Sequence, residues 1–280
     1  MPDTAGLKLL LCTDLDRTLL PNGPQTEPAG ARQLFTRLVS QDGIQLAYVS
    51  GRSRALVLDA IAEYQLPVPD FAICDVGTNI YRIEGDKWSC QNQWHELMAK
   101  DWRGMNSWQL REALPDYAGL TLQPEHKQDQ FKLSFELTPS AEMNERALAL
   151  KNALSKLDLD CNVVASVDET HDMALVDVLP QSANKRLAIE YLIKQLGILR
   201  NHVVFSGDSG NDLDVLLSPI PSVLVGNATE EVRSVAIAAI DKGQGESVYF
   251  ANEYYAAGIV EGFLHYFPAC QKTLYQDGEP

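Results

Sequence analysis

Asp14 and Asp16 stand two residues apart just beyond the apolar run Leu9–Cys12, and the segment "GDSGND" places Asp208 and Asp212 beyond a second apolar run, Val203–Phe205. Carboxylates gathered in a crevice repel one another unless a cation lies between them. A donor set made only of hard oxygens selects Mg2+ over zinc or copper. Lys185 opens a helical pattern and Ser50 is followed by Gly51, so an ammonium, a hydroxyl and backbone N–H groups are also on offer. These are the partners of an anion such as a phosphoryl group, and Asn211 joins Ser50, Gly51 and Lys185 as a candidate to touch it. Phosphoryl transfer rests mainly on positioning and charge stabilisation, which this inventory supplies. One carboxylate free to attack phosphorus and a second, on the same side of an extended chain, to move a proton would complete the chemistry.

Each piece alone is weak, because acidic pairs and helix-start lysines are common at solvated surfaces. Their strength lies in where the elements put them. Strand-like runs at Leu7–Cys12, Ile44–Ser50, Phe71–Ile83 and "HVVFSGDSGND" alternate with helical patterns such as Ala29–Val39 and Asn184–Gly197. That rhythm predicts βαβ units and a parallel sheet. Open α/β sheets gather their ligands at the carboxyl ends of strands. Asp14 and Asp16, Ser50, Lys185, and Asp208 with Asp212 are each expected at such an end.

The rhythm breaks between Glu84 and Asp172, a stretch that holds all four tryptophans. "FKLSFEL" (Phe131–Leu137) alternates apolar and polar residues, as a strand with one solvated face does. The fold expected is α/β, a doubly wound, Rossmann-like parallel-sheet core at residues 1–83 and 173–280, with an inserted α+β cap at residues 84–172. After the insert the rhythm resumes with "MALVDVLP" (Met173–Pro180), "PSVLVGN" and a long final helix.

Bulk properties narrow the partners. A formal net charge of −15 excludes nucleic acid and anionic membrane surfaces as natural ligands. It also means that an anionic substrate must be met by positive charge supplied locally. The 5 cysteines are widely spaced with no CxxC pair, which indicates neither a disulfide framework nor a zinc site. No apolar stretch is long enough to span a bilayer, and Leu9–Cys12 is too short for a secretory h-region. A cytoplasmic location is expected.

"DLDRTLL", "VSGRS", Lys185 and "GDSGND" together resemble the four motifs of the haloacid-dehalogenase-type phosphatases. The resemblance implies that Asp14 is the nucleophile and Asp16 the general acid/base. It also implies that Mg2+ is held by Asp14, the Asp16 carbonyl and Asp208, with Asp212 in support. The insert between Ser50 and Lys185 would be a C2-type cap that covers the site and reads the leaving group. "VGTNIY", "FKLSFEL", "LPQSANK" and "AAGIVEGFLHYF" are similar to sucrose-phosphate phosphatases and their relatives. Arg17 and Arg186 depart from that subfamily's pattern and leave the sugar open. The implied substrate is a sugar phosphate monoester, with sucrose 6-phosphate first and mannosylfructose or glucosylglycerol phosphate as alternatives. A phosphosugar mutase is a different class with a related cap. A phosphorylation-dependent receiver module shares the Asp, Ser/Thr and Lys set, but is about half as long and lacks the insert. A sugar-phosphate synthase is a plausible protein partner by the same resemblance. Thr78, Asn79, Lys132 and Asn184 are the sugar-contact candidates. Turn chemistry explains Thr78 and Asn79 equally well, and a plain surface position explains Lys132. The tryptophans either stack on sugar or, as aromatics more often do, build the core.

Overall fold

The computed structural model describes residues 8–114, 120–137, 143–168, 173–245 and 247–274. Strand β1 (Leu9–Thr13) is buried along its whole length. Its side chains alternate between two apolar layers, Leu9 and Leu11 on one face and Leu10 and Cys12 on the other. Along the chain follow β2 (Ile44–Val49), β3 (Phe71–Cys74), β4 (Asn79–Glu84) and β5 (Lys87–Cys90). Then come β6 (Thr121–Leu122), β7 (Leu133–Leu137), β8 (Cys161–Asp168) and β9 (Met173–Pro180), and finally β10 (Val203–Gly207), β11 (Ser222–Leu224) and β12 (Val248–Phe250). An eight-stranded sheet has the order β12-β11-β10-β1-β2-β3-β4-β5, and a four-stranded sheet the order β6-β7-β9-β8. The large sheet is parallel from β12 to β3, and β4 and β5 extend it antiparallel.

Helices cover both faces of the large sheet. On one side lie α1 (Ala31–Val39) and α2 (Arg54–Tyr64), whose Phe35, Leu38, Val57 and Ala60 join the apolar layer of Leu9 and Leu11. The helices α3 (Asn92–Asp101), α4 (Ser107–Ala113) and α5 (Met143–Lys156) belong to the region of the small sheet. The opposite face of the large sheet receives α6 (Lys185–Leu196), through Ala188, Ile189, Leu192 and Ile193. Its layer is continuous with the small sheet and with the buried Trp94 and Trp102. Core and cap therefore share one apolar cluster.

Two strands fall on the other side of the expected division at residues 84 and 172. β5, expected in the insert, pairs with β4 in the large sheet. β9, expected as a core strand, lies between β7 and β8 in the small sheet. An apolar run signals a strand flanked on both sides, which β9 is, but carries no information on which sheet does the flanking. Lys185 consequently follows a cap strand and not a core strand. β7 also departs from the expected half-solvated pattern: Ser134 is buried, its hydroxyl donating to Asp177 Oδ1 at 2.5 Å.

Candidate active site

Beyond β1 the chain continues the sheet by one residue: the Asp14 N–H donates to the Ser206 carbonyl at 2.9 Å. The Asp14 carboxyl is buried; Oδ1 accepts from the Leu15 N–H at 2.7 Å and Oδ2 from Lys185 Nζ at 2.8 Å. Lys185 is aimed by the start of α6. Asn184 caps that helix by accepting from the Leu187 N–H at 2.7 Å. Its backbone packs so closely on Gly77 (φ +98°) that a Cβ there would stand 2.6 Å from main-chain atoms. Lys185 Nζ also donates to Asp212 Oδ1 at 2.7 Å and to Asn211 Oδ1 at 3.1 Å. The second Asp212 oxygen accepts from the N–H groups of Asp208 and Ser209 at 3.1 and 3.2 Å, folding the turn back on β10. Gly207 permits that fold, because a Cβ at this position would lie 2.6 Å from the Asp212 carboxyl.

Asp208 accepts from the Thr18 hydroxyl at 3.0 Å and from Arg17 Nε at 3.2 Å. Asp14, Asp208 and Asp212 thus stand together, each offering a carboxylate oxygen within 4.8 Å of the others. Burial pushes the Asp14 carboxyl up to about 8; Lys185 opposes the rise, and the charges of Asp212 and Asp208 add to it. Burial, then Asp212, raises Asp208 to about 6, with Arg17 opposing. Burial alone would lower the Lys185 ammonium, but its pairs with Asp14 and Asp212 outweigh this and hold it above its ordinary value. Three buried carboxylates against one buried ammonium leave this cluster short of positive charge. Hard oxygens in this arrangement fit a divalent cation such as Mg2+.

Asp16 is half-buried beside this group. Arg52 grips it with Nε to Oδ2 at 2.8 Å and Nη2 to Oδ1 at 2.6 Å, and Asn22 Nδ2 donates to Oδ1 at 2.7 Å. Burial favours a raised pKa here, yet the Arg52 hydrogen bonds and charge, with Asn22, outweigh it and hold the carboxyl below its usual range. Ser50 is buried at the end of β2, and its Oγ accepts from the Arg52 N–H at 3.2 Å.

These groups open into a cleft of about 690 Å³, within the range of small-molecule sites. Its core side carries Asp14, Asp16, Arg17, Gly51, Arg52 and Asn211; its cap side carries Gln123, His126, Lys127, Lys132 and Asp177. At the seam lie Asp75 and Val76, both left-handed at φ 52° and 60°. A β-branched residue rarely adopts that backbone, and each such residue costs on the order of 1–3 kcal/mol. The turn is held by Asp75 N–H to the Arg52 carbonyl at 2.9 Å and Val76 N–H to the Ser50 carbonyl at 3.3 Å. Lys132 Nζ stands 3.9 Å from Asp75 Oδ1. Burial raises Asp75 to about 6, with Lys132 opposing and Asp129 adding.

Of the residues singled out from sequence, Asp14, Asp16, Ser50, Gly51, Lys185, Asp208, Asn211 and Asp212 come together at one end of the large sheet. Lys132, a sugar-contact candidate that a plain surface position explained equally well, is mostly buried in the cleft wall. Thr78, Asn79 and Asn184 do not line the cleft. The Thr78 hydroxyl donates to the Asp75 carbonyl at 3.1 Å. Asn79 bridges Asp75, Asp129 and His95 in a buried network. Asn184 is a helix cap. In each case the fold itself uses the polar side chain, through the backbone at Thr78 and Asn184 and through neighbouring side chains at Asn79. None of the tryptophans lines the cleft: Trp94 Nε1 donates to the Gly77 carbonyl at 2.9 Å, Trp102 is buried, and Trp88 packs on Tyr81. Arg186 points to Asp214, away from the site. Arg52, Asn22, Asp75, Gln123, His126, Lys127 and Asp177 were not selected from sequence. Asp75 carried the same signal as Asp14, a carboxylate just past a buried strand, and Asp177 is a lone charge inside an apolar run.

A doubly wound sheet with a carboxylate–lysine cluster at its strand ends and a capped cleft defines a haloacid-dehalogenase-type phosphatase. Within that class the chain belongs to the sucrose-6F-phosphate phosphohydrolase family, whose pattern it matches over residues 7–267. It is 44% identical over 268 residues, 93% of this chain and 72% of the relative, to a protein of Nitrosococcus oceani named only as a HAD-like hydrolase. It is 29% identical to the mannosylfructose-phosphate phosphatase of Agrobacterium fabrum, covering 92% of this chain and 96% of that one. To sucrose-phosphatase 1 of Nicotiana tabacum it is 28% identical, covering 94% of this chain but only 60% of the relative. The sucrose-phosphatase of Synechocystis sp. PCC6803, solved with sucrose and phosphate, superposes with a TM-score of 0.72 at 25% identity, covering 93% and 98% of the two chains.

Proposed function

We propose that the protein hydrolyses a sugar phosphate monoester in a Mg2+-dependent reaction through an aspartyl-phosphate on Asp14, and that its substrate is sucrose 6-phosphate. The observation that carries this reading is the position of Asp14. It belongs to the acidic cluster, pairs with Lys185, and is the member of that cluster that lines the cleft, facing the cap-side residues His126, Lys127 and Lys132. A net charge of −15 repels an anion at long range, so Arg17, Arg52, Lys127 and Lys132 are the local charges that make entry favourable.

Mg2+ held by Asp14, Asp208, the Asp16 carbonyl and Asp212 would neutralise the charge of the transferring phosphoryl group. Asp14 attacks phosphorus while Lys185 offsets the negative charge of the acidic cluster. The Ser50 hydroxyl and the Gly51 N–H lie beside the phosphoryl position as further donors. Asp16 gives a proton to the departing sugar oxygen, then takes one from the water that cleaves the acyl phosphate. The cap wall excludes bulk water and meets the sugar through Gln123, Lys132 and Asp177.

A second reading is mannosylfructose phosphate, favoured by the relative from Agrobacterium fabrum that the chain covers almost completely. The two disaccharides share fructose and differ in the hexose. The test is phosphate release with Mg2+ from sucrose 6-phosphate, mannosylfructose phosphate, glucosylglycerol phosphate and glucose 6-phosphate. Asp14→Asn and a chelator serve as controls. A strong preference for sucrose 6-phosphate, lost in both controls, is expected. Preference for mannosylfructose phosphate moves the assignment to the second reading. Release that survives Asp14→Asn would overturn the mechanism.

A further inference from the structure

Three of the four tryptophans are taken up by the fold, but Trp108, on α4, is 47% exposed. It lines a second cavity of about 290 Å³, at the lower edge of the range for small-molecule sites. No residue that lines this cavity also lines the catalytic cleft. The two lie on either side of segment 123–128, which gives Gln123, His126 and Lys127 to the cleft and Glu125 and Gln128 to the cavity. We propose that this cavity is a non-catalytic binding site for one pyranose ring of a neutral saccharide, with Trp108 as its platform.

The walls are fixed before any ligand arrives. A capping box starts α4: Asn106 Oδ1 accepts from the Gln109 N–H, and Gln109 Oε1 from the Asn106 N–H, both at 3.0 Å. The Ser107 N–H donates to the Gln130 carbonyl at 2.9 Å, and its hydroxyl to the Asp129 carbonyl at 2.5 Å. Leu110 is fully buried, while Trp108 and Arg111, three residues apart and so neighbours on the helix surface, line the cavity. Leu122 and Leu133 add apolar lining. Gln128 is held by three bonds: Nε2 donates to the Gln123 and Ser134 carbonyls at 3.0 and 2.8 Å, and Oε1 accepts from the Ser134 N–H at 2.8 Å.

Two charged groups are left for a ligand. Among the described residues, neither the Arg111 guanidinium nor the Glu125 carboxylate makes an ion pair or a side-chain hydrogen bond. One only donates and the other only accepts, so together they can answer hydroxyl groups, which do both. Their charges cancel, which selects neither an anion nor a cation. A pyranose presents hydroxyl groups at its rim and C–H groups on its faces. The faces suit the exposed indole and the rim suits the charged pair. The volume admits one ring, so the rest of a disaccharide would project into solvent. Binding here needs no phosphatase chemistry.

The experiment is saturation-transfer NMR with sucrose and with methyl glucoside. The proteins are wild type, Trp108→Ala, Trp108→Phe, Arg111→Ala, Glu125→Ala and Lys132→Ala, with thermal unfolding of each as the check on folding. Wild type is expected to bind either saccharide with a Kd on the order of 1 mM, as one stacked ring with few polar contacts would. Trp108→Ala should weaken binding about 10-fold, and Trp108→Phe less than about 3-fold. Arg111→Ala and Glu125→Ala should each weaken it about 5-fold. Lys132→Ala changes the cleft and not the cavity, so it should bind as wild type does. If Trp108→Ala fails to fold, the losses in Arg111→Ala and Glu125→Ala decide. Unchanged binding in all the cavity variants, or loss in Lys132→Ala alone, would put the saccharide in the cleft and overturn the proposal. Wild type that binds neither saccharide would overturn it as well. Self-association in sedimentation that Trp108→Ala abolishes would give the cavity to a second copy of the chain instead.

Discussion

The two walls of the cleft are built in opposite ways. On the core side the central charges are buried and already answered: Lys185 touches Asp14, Asn211 and Asp212 at once, and the GDSGND turn satisfies the second Asp212 oxygen. On the cap side His126 and Lys127 are exposed, and Lys132 meets Asp75 only at 3.9 Å. A buried cluster cannot lose one member without stranding the others, whereas a half-solvated wall can trade contacts with little cost to the fold. One wall is suited to invariable chemistry and the other to a choice among leaving groups. The left-handed Asp75–Val76 turn joins them, tied by backbone to Ser50 and Arg52 and by charge to Lys132.

The largest effect should come from the core wall. Lys185→Met leaves Asp14 and Asp212 buried without their ammonium, so activity should vanish and stability fall by about 3–5 kcal/mol, as measured by urea unfolding. Added Mg2+ should recover part of that loss, because a cation again lies among the carboxylates. A variant as stable as wild type would mean that the cluster is not the charge-balanced unit described. Next, Lys132→Ala should raise KM for the sugar phosphate about 10-fold, one charge-assisted contact. The kcat and the turnover of 4-nitrophenyl phosphate should stay unchanged. Equal losses on both esters would erase the distinction between the two walls.

The smallest effect is a pH dependence at the seam. Burial holds Asp75 at about 6, above the 3.8 of a free aspartate. The folded state therefore binds the proton more tightly than the unfolded chain. The stability this contributes is fully present below about pH 4 and is lost as pH rises through about 6. Asp75→Asn cannot titrate, so its stability relative to wild type should grow over that window by on the order of 2 kcal/mol. A constant difference between the two from pH 4 to pH 7 would show that Asp75 is not held in this way.

What could be read in advance followed from short-range geometry. Asp14 and Asp16 end β1, Ser50 ends β2, and Asp208 with Asp212 ends β10. An apolar run followed by a carboxylate locates a strand end with no knowledge of its neighbours. The same local logic misled where a polar side chain had a use in the fold close at hand. Asn184 turned inward to cap α6, Thr78 closed the turn after β3, and Asn79 joined the buried side chains of Asp75, Asp129 and His95. Chemistry and turn-making ask for the same residue types, and only the paired coordinates separate them.

By itself, then, the sequence determined which carboxylates stand at the strand ends, because burial, period and the carboxylate signal all act within a few residues. Only the tertiary structure decided that β9 serves the cap, that Arg52 grips Asp16, and that Lys132 faces Asp75 across the cleft. Those facts depend on which surfaces meet after the chain has closed loops of many residues, and that choice is made by the shared apolar cluster of core and cap rather than by any local pattern.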